Sequence, residues 1–513
     1  DGLESHGCGV VGPGGRPATP VPPCAGEHFL GEICPYHAGA GIPVRHGEGE
    51  IPGPACDVEG LVHAAFGKRA DEVALPAAVA AEGENGGYRV VAAGDDREEA
   101  AVILQLALCI GEIVVLEPLI EPAFHITSTI LVVAPAAKPY CVGMDRSTAV
   151  MIHGIETAVP EHSYSQEFAH TFMRRLYEGK PGAQQMIDRI YPASAIEKRH
   201  TVIGDYGKDP SEYTFYPKTA DLKPEPTTKQ RNDLFIPEAQ RLSLQATRSL
   251  LERFPGVREH ITHLITVSCT GFSAPGFDFY LAKELPLPPD THRFHLGFMG
   301  CYAAFPAMKL ADSICRADPK AKVLIVNAEL CSLHLQQKED VDVIVANALF
   351  SDGVSAALVS ADPADSAGPG IAFRHFATRT APESEEDMAW SIGQTGFDMK
   401  LSVYVPRIIK RNIASLIDAA MESSGLSREA VDIWALHPGG RAILDKTAAT
   451  LELDPADLAV SYDVLREYGN MSSATIMFIL KRILEGSRTG HIFATAFGPG
   501  LTLEAAHMEK EAP

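Results

Sequence analysis

Three residues of unlike type carry the chemistry this sequence could perform: Cys301, His437 and Asn470. Cys301 stands in Phe298-Met299-Gly300-Cys301-Tyr302-Ala303-Ala304-Phe305, an apolar run that opens a helix expected from about Ala303 to Cys315. Pro306 fits only a first helical turn, where no backbone N–H is needed, so the helix must begin close behind the cysteine. A thiol there faces the positive end of the macrodipole, which favours thiolate. His437 ends the apolar strand Ile433-Trp434-Ala435-Leu436 and is followed by Pro438-Gly439-Gly440. Asn470 lies in Tyr468-Gly469-Asn470-Met471-Ser472-Ser473-Ala474, just before a helix. Singly, each has a plainer reading: a small buried hydrophobe, a satisfied strand-end histidine, a helix cap. Together they supply what thiolate chemistry on a thioester needs, namely a nucleophile, an imidazolium partner and two donors for an enolate or tetrahedral oxyanion.

The elements that must position them are legible from Val150 onward. Met151 to Ile155, His263 to Cys269, Lys322 to Leu330 and Ser355 to Ser360 read as strands, with helices at Gln166 to Glu178 and Pro237 to Phe254. Gly204 to Asn232 is polar and proline-marked and reads as a long surface excursion. Ala361 to Gly370 is rich in Asp, Pro, Ser and Gly and marks an internal boundary. Beyond it the pattern recurs: helices at Val405 to Ser423, Ala442 to Leu451 and Ser472 to Glu485, strands at Ile433 to Leu436, Ile492 to Phe497 and Thr502 to His507. Two halves, 144–365 and 366–513, that each alternate long helices with short apolar strands predict a duplicated layered α/β architecture.

The first 60 residues are roughly one-third Gly plus Pro, a composition that rarely packs a core. Residues 1–143 therefore read as a poorly ordered extension ahead of Met144. Cys34 and His37 are its only closely spaced metal-ligating pair, so no metal site is expected. The chain carries 44 basic and 66 acidic residues, a net charge of −22, which argues against nucleic acid or an anionic membrane as partner. Its most apolar stretch, Ala100 to Phe124, is interrupted by Gln105, Glu112, Glu117, Pro118, Glu121 and Pro122 and cannot span a bilayer. Without a leader pattern at Asp1, and with ten cysteines in no regular spacing, a reduced cytoplasmic setting is expected.

Gly300-Cys301, Trp434-Ala435-Leu436-His437-Pro438-Gly439-Gly440, Tyr468-Gly469-Asn470-Met471-Ser472-Ser473-Ala474 and Phe497-Gly498-Pro499-Gly500-Leu501-Thr502 together resemble the type III polyketide synthases, the chalcone synthase-like enzymes. Four motifs in the right order and spacing are a specific signal where any one would be weak. The resemblance runs from about Met144 to Lys510. Ketoacyl synthase III-type enzymes share the Cys-His-Asn set, but His-Pro-Gly-Gly points to the chalcone synthase-like branch. The resemblance implies a thiolase-like duplicated αβαβα fold, a homodimer, and free acyl-CoA and malonyl-CoA as substrates with no cofactor. By the same resemblance Cys301 holds the starter as a thioester, while His437 and Asn470 stabilise the enolate formed when malonyl-CoA loses carbon dioxide.

Further substrate-binding positions follow from the resemblance. Phe350 and Phe397 match two gatekeeper phenylalanines, Gly498 and Pro499 belong to the last motif, and Arg189 matches one basic residue that holds CoA phosphate. Met186 and Ala193 stand where lysines are common. Cys269, Cys331 and His334 occupy positions where plant chalcone synthases line their cavity with threonines, and Ala274 replaces a methionine that reaches the neighbouring subunit's cavity. Smaller and less polar side chains favour a roomier, more apolar pocket. The expected starter is a medium- or long-chain fatty acyl-CoA giving an alkylpyrone or alkylresorcinol. The alternatives are an aromatic or malonyl starter with a chalcone-like or naphthol product, or a ketoacyl synthase III-like enzyme that uses acyl carrier protein.

Overall fold

In the computed structural model the described residues are 42–44, 88–90, 149–365, 368–380, 388–401 and 405–511. Two compact units divide the chain, Asp1–Gly143 and Met144–Pro513. In the first, Ile42–Val44 pairs antiparallel with Tyr88–Val90.

The second unit is built on a nine-stranded sheet. Its strands are β1 (Met151–Ala158), β2 (His263–Ser268), β3 (His292–Gly297), β4 (Lys322–Leu330), β5 (Asp352–Ser360), β6 (Ile371–Thr380), β7 (Ile433–Leu436), β8 (Gly490–Gly498) and β9 (Thr502–Lys510). The spatial order is β7-β8-β9-β6-β1-β5-β4-β2-β3. From β1 outward the neighbours pair antiparallel, antiparallel, then parallel (β1–β5, β5–β4, β4–β2). From β6 outward the same sequence repeats (β6–β9, β9–β8, β8–β7), and β6 joins β1 antiparallel at the seam. The duplication expected from the helix–strand pattern is thus present in the topology.

Helices fill the layers: α1 (Gln166–Leu176), α2 (Pro181–Ala193), α3 (Thr228–Arg253), α4 (Ala304–Ala317), α5 (Val341–Leu349), α6 (Val405–Ser424), α7 (Arg441–Leu451) and α8 (Ala474–Glu485). Strand side chains alternate between faces, and the sheet sorts them into three cores. Val323 and Ile325 of β4 and Ile492 and Ala494 of β8 share the central core with Phe305 and Met308 of α4 and Ile476 and Met477 of α8. Their neighbours Leu324 and Val326 face an outer core containing α1, α2 and α3. Phe493 faces the opposite outer core with α6 and α7. This is the αβαβα arrangement, and it places the helix after Cys301 beside the helix after Asn470.

One expectation is refined and one corrected. Gly204 to Asn232 is a largely exposed excursion pinned at a few points: fully buried Asp205 accepts hydrogen bonds from Thr214, Phe215 and Tyr216, and Tyr213, Tyr216 and Leu222 reach into the outer core. A carboxylate that collects backbone N–H groups can carry a loop inward that hydropathy alone sends to solvent. The helix expected from Pro237 begins instead at Thr228, where Thr227 and Gln230 form a capping box, and Pro237 lies inside it.

Strand β3 is an edge strand paired only to β2, and Phe294 on it is 41% exposed. Among the described residues no helix is long and apolar enough to cross a membrane.

Candidate active site

Cys301 occupies a turn between β3 and α4, three residues before the helix proper. Gly300 holds φ of +82°, and a Cβ on it would strike the Pro499 ring, so the turn requires glycine twice over. The Gly300 N–H donates to the Cys269 thiol at 2.9 Å, which ties the nucleophile's turn to the end of β2.

His437 continues the β7–β8 ladder by one bond, its N–H donating to Thr495 O at 2.9 Å. Its ring is buried, and neither nitrogen has a hydrogen-bond partner among the described residues. Asn470 follows Gly469, which has φ of +72° and no room for a Cβ against Leu349 O. Its side chain is clamped at both ends: Oδ1 accepts the Ser472 N–H at 2.9 Å and Nδ2 donates to Gly439 O at 3.2 Å. Gly439 lies two residues after His437, so the amide is fixed to the histidine's own loop. The second Nδ2 hydrogen serves the Cys301 thiol.

Burial pushes the Cys301 thiol up to about 11, and the nearby Glu329 carboxylate acts in the same direction. Hydrogen bonds from the Ser472 hydroxyl and the Asn470 amide pull it back down. Burial alone carries His437 down to about 3. Burial works against the thiolate expected from the helix dipole: a helix terminus supplies about 0.3–1 kcal/mol, less than the cost of desolvating an ion in a protein interior. Both shifts favour the uncharged forms, a neutral thiol and a neutral imidazole. Alkylation of Cys301 by iodoacetamide should then rise about tenfold per pH unit from about pH 7 to about pH 9, following the thiolate fraction. A rate already level below pH 7 would mean a resting ion pair.

The cavity above Cys301 is lined by Cys269, Cys331, His334, Phe350, Phe397 and Pro499 among the positions singled out from sequence. His437, Asn470, Gly498, Ala274 and Arg189 are not among its lining residues. Gly498 lies beneath Tyr302, which leaves no space for a Cβ, while Ala274 and Arg189 are exposed. His334 is fixed by two bonds: Nε2 donates to Thr270 O at 2.7 Å, and Nδ1 accepts the Phe397 N–H at 3.2 Å. Burial lowers it to about 4, so the ring is neutral. It stacks on Phe397 at 3.8 Å between centroids, and Phe397 stacks in turn on Trp390 at 4.9 Å. Both aromatics belong to the hairpin of Met388–Gly393 with Gly396–Leu401.

Sequence reasoning missed three contributors. Ser472 (φ +48°) stood unremarked inside a quoted motif, though it bonds to the thiol. Glu329 is wholly buried and accepts from Cys269 N at 3.0 Å, Thr270 Oγ1 at 3.1 Å and Ser473 Oγ at 2.5 Å. Burial pushes its carboxyl up to about 7. The signal was available: a carboxylate near the end of the apolar strand β4 must have partners there. The third is the far wall of the cavity, formed by Phe168, Ala169, Phe172 and Met173 of α1, which no local pattern connects to Cys301. Among the described residues no group of three His, Cys, Asp or Glu side chains is placed to hold a metal ion.

Residues 143–363 match the N-terminal domain of the chalcone and stilbene synthases, and residues 373–510 match their C-terminal domain. The alpha-pyrone synthesis polyketide synthase-like Pks18 of Mycobacterium tuberculosis is 30% identical over 365 residues, which cover 70% of this chain and 90% of that protein. Among solved structures, PKS-I from the brown alga Ectocarpus siliculosus is 29% identical with a TM-score of 0.64, covering 72% of this chain and all of that one. The 1,3,6,8-tetrahydroxynaphthalene synthase of Streptomyces coelicolor is 26% identical with a TM-score of 0.62, covering 71% of this chain and all of that one. A duplicated sheet carrying Cys301 in one half and His437 and Asn470 in the other is what those matches describe from the outside, and the chain belongs to the chalcone and stilbene synthase family, the type III polyketide synthases.

Proposed function

We propose that the chain condenses malonyl-CoA iteratively onto a medium- or long-chain fatty acyl starter held on Cys301, giving an alkylpyrone or alkylresorcinol. The observation that carries this reading is the Asn470 amide, clamped by Ser472 and Gly439 and serving with its other hydrogen the thiol of Cys301, which lines an apolar cavity. Neutral His437 takes the proton from sulfur as the thiolate attacks the starter thioester, and CoA thiol leaves. His437 and Asn470 then donate to the malonyl thioester oxygen. The bond to the carboxylate breaks, carbon dioxide departs, and the electron pair rests on the enolate oxygen between the two donors. The enolate carbon attacks the acyl carbon on Cys301 and expels the thiolate, leaving a chain two carbons longer on CoA. That chain returns to Cys301 for the next round. No cofactor beyond the CoA thioesters is required by these steps. The exposed β3 edge supports the homodimer that the resemblance implies, and light scattering on the full chain reads it.

The fatty starter is supported by the walls. The cavity runs from Cys301 to the Phe168, Ala169 and Phe172 face of α1, and a relative is described by alpha-pyrone synthesis. Each methylene placed in such an arm gains about 0.8 kcal/mol, roughly fourfold in affinity. Product analysis with malonyl-CoA and starters from acetyl- to palmitoyl-CoA tests the reading, with Ala169→Phe in parallel. The wild type is expected to prefer octanoyl-CoA or longer, and the variant, with its arm filled, to prefer shorter chains. Acetyl- or coumaroyl-CoA used as well as the long chains by the wild type would remove the fatty-starter assignment.

A further inference from the structure

The carbonyls that end α5 are all claimed, and most of the claims trace to one side chain. Arg199 lies on the short strand Lys198–Thr201, which pairs with His162–Ser165 away from the main sheet. Its Nη1 donates to Asn347 O at 2.7 Å and to Phe350 O at 2.9 Å. Its Nε donates to the Gln166 side-chain oxygen at 2.9 Å, and the Gln166 amide donates to Ala348 O at 2.8 Å. The remaining carbonyl, Leu349 O, accepts the Asn470 N–H at 2.9 Å, and the Ser351 N–H donates to Asn470 O at 2.9 Å.

We infer that Arg199 is a positioning residue for the decarboxylative step, acting through the Leu349–Ser351 segment on Asn470; this rests on the role proposed for Asn470 above. A helix C-terminus leaves its last carbonyls unpaired and carries partial negative charge, so a guanidinium there both satisfies and attracts it. The planar fork reaches two carbonyls and Gln166 at once, which an ammonium on a flexible stem does not reproduce. Close fit reinforces the register: a Cβ at Gly469 would come within 3.0 Å of both Leu349 O and the Arg199 stem. Without Arg199, Asn347 O and Phe350 O lose their donor and the segment that registers Asn470 is free to shift. The Cys301 turn is held separately, through Gly300 and the Cys269 thiol, although Arg199 lines the same cavity.

The two half-reactions separate these effects. Starter loading is read as acyl mass on the intact full-length chain after a quench, and decarboxylation as carbon dioxide released from malonyl-CoA. Arg199→Gln is expected to slow decarboxylation and product formation at least about tenfold, as misplaced donors do, with loading held within about twofold. Arg199→Lys should fall between, and added methylguanidine should partly restore Arg199→Ala. Gln166→Ala keeps the arginine but breaks its anchor, and should show the same split to a smaller degree; it decides the matter if the arginine variants do not fold. Loading and decarboxylation that fall in step, or neither falling, overturn the inference. Asn470→Ala serves as reference. If it decarboxylates normally, the proposed function of Asn470 fails; if it is impaired and both Arg199 and Gln166 variants are not, only the positioning role fails.

Discussion

Cys301→Ala is expected to abolish polyketide formation, on the order of a thousandfold or more, while malonyl-CoA decarboxylation persists. The covalent intermediate cannot form without the sulfur, so no acyl carbon is held where an enolate could attack it. The donors for the enolate are elsewhere: His437 on the loop after β7, Asn470 on the turn before α8, clamped to each other's segments through Gly439. Removing a side chain from the turn before α4 leaves both in place. Radiolabelled or mass-resolved product assays beside carbon dioxide release measure the two outputs together. Loss of both at once would mean that the cysteine turn itself organises the donors.

His437→Ala should damage both halves, because the same imidazole accepts the thiol proton and donates to the malonyl oxygen. Loss of a general base costs about 10²–10⁴ and loss of one oxyanion donor about 10²–10³. With the thiol pushed up to about 11, the base matters more here than it would for a resting thiolate. Raising the pH should therefore recover part of the loading rate in His437→Ala, since hydroxide then supplies the thiolate, and recover none of the decarboxylation. Asn470→Ala should spare loading and lose only the second step. A variant pair with the opposite split would exchange the assigned roles.

Much of this was legible from residue order because the site is written as short contiguous motifs. The run from Lys322 to Leu330 is apolar except for Lys322, Asn327 and Glu329 and emerged as β4 with those same limits. The helix start behind Cys301 followed from Pro306, and α4 begins at Ala304. The duplication was visible as alternation and reappears as repeated strand pairing, although the two halves share no obvious identity. What stayed hidden depends on contacts between segments remote in sequence. Asp205 folds a polar loop inward through N–H groups nine to eleven residues away. Arg199 reaches carbonyls 148 and 151 residues ahead, and α1 closes a cavity opened by Cys301. The upward push on the Cys301 thiol was hidden for a different reason: a dipole is a local quantity that sequence displays, while desolvation belongs to the assembled core.

The central claim is that Cys301 holds the starter, and it is tested most directly by trapping that adduct. The wild type would be incubated with decanoyl-CoA alone, quenched in acid, digested and mapped by mass. The account predicts one decanoyl group, on the peptide containing Cys301, and its discharge when malonyl-CoA is supplied before the quench. A chain that stays unacylated with every acyl-CoA offered, or that carries the acyl group on Cys269 or Cys331 instead, would contradict it.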